Sequence, residues 1–220
     1  MAENSFKNVS TQPKPFFLLP VKTLFLLGGV FSAFFILIVG LVFFDYANSM
    51  DNAIFSLMRS NSSSPILDQT LRRVVFLGSS QFVLPLSLLV GVFLSLYRRN
   101  LALGVWFVLS VVIFEALLKS LKHLFVYSIQ WLSHSANFPS AIALSLALFY
   151  GLLVLLIPHF IAHKTLQNIL VYGLFGLILL ISLVLIVLGV SFSSVLGGFC
   201  LGALGACFSI GIYLSVFQKI

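Results

Sequence analysis

From Thr165 to Gln218 the chain runs 54 consecutive residues without an Asp, Glu, Lys, Arg or His. As one helix, at 1.5 Å per residue, this run would be about 80 Å long, more than twice the roughly 30 Å of a bilayer's hydrocarbon. It has no polar face to offer water. It therefore has to fold back on itself inside a membrane. The polar cluster near its middle is Ser191-Phe192-Ser193-Ser194, so one span is expected to end near Val190 and the next to begin near Ser194.

The rest of the chain obeys the same constraint. Of 220 residues, 60% are hydrophobic and only 8% charged, against about 25% charged in soluble domains. An all-α polytopic membrane protein with six spans is expected, at about residues 23–44, 74–97, 101–118, 138–158, 167–190 and 194–217. Residues 1–22 read as a polar tail and 23–218 as one membrane domain. Between the first two spans the charges recur too often for a further crossing, so residues 49–73 read as two short interfacial helices. Lys119 to Asn137, with Lys122, His123, Tyr127, Trp131 and His134, reads as a polar interfacial loop.

The net charge of +7 does not point to nucleic acid, because the basic residues are scattered and form no stripe. They lie beside the spans, as in proteins whose positive charge sets membrane orientation. With six spans, seven of the twelve basic residues (Lys7, Lys14, Lys22, Arg98, Arg99, Lys164 and Lys219) share the side of the termini. Both termini are therefore expected in the cytoplasm. Cys200 and Cys207, seven apart on one apolar helix, read as packing residues. Gly198, Gly202, Gly205, Ala206 and Gly211 give the last span a small-residue face, expected to pack inside the bundle.

Three groups invite chemistry. Glu115 sits inside the third span, four residues before Lys119. That spacing suits an ion pair just inside the interface, although an acidic residue in a span is also a functional-site candidate. His159 and His163 have helical i, i+4 spacing, but no third ligand accompanies them. No metal site or cofactor is expected. The third group is Pro139-Ser140-Ala141-Ile142, with Leu188-Gly189-Val190-Ser191 and Leu196-Gly197-Gly198 some fifty residues later.

These segments, with Ser64-Pro65-Ile66-Leu67-Asp68 and Phe76-Leu77-Gly78-Ser79, resemble the type 2 phosphatidic acid phosphatase and haloperoxidase superfamily in order and spacing. The resemblance implies a six-helix lipid phosphatase bundle. In active members the motif is a Lys and, after six residues, Arg-Pro; then Pro-Ser-Gly-His; then Ser-Arg, five residues, His, three residues and Asp. There an imidazole attacks phosphorus, held by the carboxylate. A second imidazole protonates the leaving oxygen, and the cations balance the phosphate charge.

Carried over, the resemblance places Lys119 at the Lys, Val126 at the first Arg, Ser140 at the kept Ser and Ile142 at the acid His. Leu185 falls at the second Arg and Ser191 at the nucleophilic His, and the Asp falls at Val195 or is deleted, because Leu196-Gly197-Gly198 arrives one residue early. Ile142, Leu185 and Val126 offer neither charge nor lone pair. An unpaired phosphate charge in such a pocket would cost several kcal/mol.

The expected function is that of a catalytically inactive relative, a lipid-binding or scaffold subunit of a bacterial inner membrane. Membrane lipids and other membrane proteins are its expected partners. Lys119, Glu115, Ser140, Ile142 and Ser191 are the candidates to line a lipid pocket. The alternatives are a divergent phosphatase acting on phosphatidic acid or an isoprenyl pyrophosphate, with Ser191 as nucleophile, and a lipid transporter component.

Overall fold

The structure is a computed structural model that describes residues 20–59, 65–128, 138–161 and 163–217. Among these residues the chain forms eight α-helices. They are α1 (Val21–Phe43), α2 (Tyr46–Arg59), α3 (Pro65–Phe76), α4 (Ser80–Arg98), α5 (Leu101–Ser128), α6 (Ala141–Phe160), α7 (Lys164–Val187) and α8 (Phe192–Phe217). Six apolar stretches are long enough to cross a membrane: α1, a stretch ending in α4, and α5 to α8. In lipid each backbone amide must find its partner within its own segment, which helices achieve and open strands do not.

The bundle is an integral membrane protein whose spanning helices carry large apolar residues on their outer faces. Large residues such as Phe34, Leu89, Ile113, Leu179 and Leu183 point outward and are exposed in the isolated chain. Apolar area on this scale would drive association in water and is at home against acyl chains.

Helix α8 is the axis. Gly198 and Gly202 face α6 so closely that a Cβ at Gly202 would lie 2.5 Å from the Leu144 carbonyl oxygen and 2.8 Å from the Ala147 Cβ. At Gly205 the neighbours are Phe114 and Leu148. On another side of α8, Gly211 faces Phe25 of α1, and ring pairs Phe25–Phe208 and Phe31–Phe199 join the same two helices. Thus α1 and α8 run antiparallel, with the start of α1 beside the end of α8. The small-residue face of α8 packs inside the bundle, and Cys200 and Cys207 are buried on the side of α8 that faces α1.

Helices α4 and α5 cross at Gly91 and Gly104, where an added Cβ would collide with the facing backbone. Near the end that holds the start of α1, the Trp106 indole donates to the Ser209 carbonyl at 2.9 Å, tying α5 to α8.

Two boundaries differ from the sequence reading. The helix expected from Val74 is broken at Leu77–Ser79, between α3 and α4. Gly78 lies beneath Ile142, where a Cβ would come within 2.9 Å of the Ile142 Cγ2, and Ser79 is the extended N-cap of α4. The second correction concerns the segment from Lys119, expected as loop, which continues α5 as far as Ser128. It contains no Gly or Pro to stop the helix, and long basic side chains can reach polar surroundings while their helix continues. The remainder of that expected loop, with Trp131 and His134, lies outside the described residues.

Candidate functional site

Helices α2 and α3, the end of α5, the start of α6 and the α7–α8 turn gather at the end of the bundle away from the start of α1. This end carries the positions that the motif resemblance singled out. Ser140 precedes α6 as its N-cap, with its hydroxyl accepting from the Ala143 amide at 3.4 Å. Its own amide donates to the Ser194 carbonyl at 3.0 Å. The starts of α6 and α8 are therefore joined directly. The Phe138–Pro139 peptide before them is cis.

The residues that the resemblance aligns with the family's second Arg and Asp are packed in the interior. Leu185 is 1% exposed and Val195 is 3% exposed, both in the main apolar core. Ile142 is half-buried and rests on Gly78. Lys119 stands exposed on α5, and Val126 lies two turns further along the same helix.

Glu115 is 5% exposed, and its pairing differs from the expected one. Among the described residues no ion pair joins it to Lys119. Instead it accepts from the Ser80 hydroxyl of α4 at 2.8 Å and from the Ser145 hydroxyl of α6. The half-buried Lys122, two turns along α5, is the basic group that feels its charge. The physical reason is reach. The carboxylate points into the bundle, where two hydroxyls can satisfy it, while Lys119 turns outward to polar surroundings. Glu115 thus ties α4, α5 and α6 together within the membrane.

Ser191 has a different neighbourhood. It lines a cleft of about 210 Å³ between α2 and the α7–α8 turn, together with Asn48, Asp51, Asn52, Phe55 and Gly189. Of the five lipid-pocket candidates, only Ser191 is among the residues lining this cleft. Gly189 adopts φ 91°, a left-handed turn open to glycine at little cost, and so sends the chain from α7 back into α8.

Asp51 is the functional group that the sequence reading missed. Its carboxylate accepts from the Ser193 amide at 3.0 Å and from the Ser193 hydroxyl at 2.6 Å. It caps α8 across 142 positions of sequence and puts a negative charge at the positive end of the helix. The local signal was an acidic residue on an amphipathic interfacial helix. Nothing in the sequence said which helix end it would reach.

Among the described residues no group of three or more His, Cys, Asp or Glu side chains could hold a metal ion. His163 is the exposed N-cap of α7. Chemically, this end of the bundle offers hydroxyls, amides and carboxylates at Ser140, Ser193 and Asp51.

No family model matches the sequence, and no curated protein matches it. Among solved structures the chain is similar to the first transmembrane PAP2 type phosphatidylglycerolphosphate phosphatase from Bacillus subtilis, with a TM-score of 0.73 and 23% identity. The match covers 88% of this chain and 98% of that one. The chain thus has the fold of a transmembrane PAP2 type phosphatase, an all-helical integral membrane bundle.

Proposed function

We propose that the protein is a catalytically inactive bearer of the lipid phosphatase fold and serves as a lipid-binding or scaffold subunit in the membrane. One observation carries this reading: Leu185, at the position the resemblance gives to a phosphate-balancing Arg, and Val195, at the position it gives to the orienting Asp, are both buried in the apolar core. The Ser140 amide beside them already donates to the Ser194 carbonyl. A phosphomonoester placed there would leave charge unpaired in a medium of low dielectric, at a cost of several kcal/mol. Lys119 alone, exposed on α5, does not offset that cost.

The membrane is read as a bacterial inner membrane with both termini in the cytoplasm. The excess of basic residues on the side of the termini supports that orientation. A fluorescent protein fused to the C-terminus should then fold and emit, and a dark fusion at normal expression would reverse it.

The catalytic reading is tested with purified protein in nanodiscs containing phosphatidic acid, phosphatidylglycerolphosphate or an isoprenyl pyrophosphate. No phosphate release is expected. Release that falls on Ser191→Ala or Lys119→Ala would instead make the protein a divergent phosphatase.

A further inference from the structure

The cleft between α2 and the α7–α8 turn combines two kinds of surface. Asn48, Asp51, Asn52 and Ser191 supply its polar lining, and Ile54, Phe55, Ile186, Val190 and Phe192 its apolar lining. Among the described residues, its lining contains no Lys, Arg or His. Its volume of about 210 Å³ is that of about seven waters, or of a head group the size of glycerol.

The polar side has unused capacity. Neither the Asn52 amide nor the Ser191 hydroxyl has a side-chain hydrogen bond among the described residues. The Asn48 amide donates to Asp45, which leaves its carbonyl oxygen available. Each Asp51 oxygen accepts one bond from Ser193 and retains a further lone pair. Acceptors predominate, one of them is an anion, and no cation stands nearby in the lining. Such a site repels phosphate and accepts from hydroxyl groups.

The apolar side leads into the membrane. On α7, Leu183 and Leu179 lie one and two turns before Ile186 on the same helix stripe, and they are 56% and 63% exposed. An acyl chain attached to a head group in the cleft would follow this stripe into the bilayer.

We propose that this cleft binds the uncharged, hydroxyl-bearing head of a glycerolipid such as a diacylglycerol. The inference rests on the lipid-binding reading above and specifies its ligand class. Asn52 and Ser191 hydrogen-bond the glycerol oxygens, Asp51 accepts the free hydroxyl and excludes phosphorylated heads, and Ile186 starts the path of the tail.

The test uses the full chain in phosphatidylcholine nanodiscs doped with labelled dioleoylglycerol or labelled dioleoylphosphatidic acid, reading label retained on the protein after detergent exchange. Dioleoylglycerol should be retained about tenfold over dioleoylphosphatidic acid. Asn52→Leu and Ser191→Val should each lower that retention by a similar factor with unchanged melting. Asn52 is exposed and unpaired, so its replacement leaves the packing alone. Phosphatidic acid retained as well as diacylglycerol, or retention indifferent to both variants, overturns the proposal. So does complete displacement by free glycerol, which would make the site one for a soluble polyol. Phosphate release is scored separately: its absence beside a failed retention experiment leaves the inactive reading standing and removes only this ligand.

Discussion

Replacing Gly202 by alanine tests the central packing seam with one methyl group. The new Cβ would lie 2.5 Å from the Leu144 carbonyl oxygen, 2.8 Å from the Ala147 Cβ and 2.9 Å from the Leu148 amide nitrogen. Two of these neighbours are backbone of α6, so no side chain can swing aside. The helices have to separate by about an ångström to restore ordinary carbon contacts of about 3.5–4 Å. That retreat also pulls Gly198 from α6 and strains the Ser140–Ser194 bond.

Overpacking a core costs about 1–3 kcal/mol, and the rigidity of the neighbours places this case at the upper end. Alanine's better helix propensity offsets up to about 1 kcal/mol. The net loss is about 2 kcal/mol, or a fall in apparent Tm of about 4–8 °C for a chain of this length. Gly176→Ala on α7 is the control, since its Cβ would meet nothing within 4 Å. It keeps the propensity gain alone and should melt at or slightly above the parent. The assay is size-exclusion chromatography of a fluorescent fusion in detergent after heating. A Gly202→Ala protein as stable as the parent would refute the claim that close backbone approach at this seam holds the bundle together.

Two further outcomes follow from named contacts. Asp51→Ala removes the carboxylate that caps α8 through Ser193 and should destabilise by about 1–2 kcal/mol. Ser193→Ala on that background should add little, and a fully additive double variant would mean that the two do not act together. Glu115→Leu leaves the Ser80 hydroxyl without its acceptor and the Ser145 hydroxyl with the Ala141 carbonyl alone. It should cost about 1–3 kcal/mol, whereas Glu115→Gln, which keeps a carbonyl oxygen in place, should recover most of the loss in the same melting assay.

The segments 137–145 and 188–198, read as a sequence, already pointed to the helix starts that meet in the structure. Pro139, Ser140 and Gly189 shape backbone locally, and local constraints are visible in one dimension. Glu115 was visible as an anomaly but its partners were not. Ser80 and Ser145 lie 35 and 30 positions away, and a serine in an apolar span has no signature that says which neighbour it serves. The end of α5 was misjudged because charge was taken as the end of the span. The physical stop signals, glycine and proline, are absent between Lys119 and Ser128.

By itself, the sequence determined that this chain lives in a bilayer and that it crosses as helices. These follow from composition, from run length and from residue identity, none of which depends on a neighbour. Only the tertiary structure decided how the helix ends meet. The α6–α8 seam draws the starts of these helices together through Gly198, Gly202 and the Ser140–Ser194 bond. Asp51 arrives from α2 to cap α8, and a cleft lies between α2 and the α7–α8 turn. Each of these is a meeting between residues far apart in the chain, set by how glycine faces let helices approach and by which buried polar groups must then be satisfied.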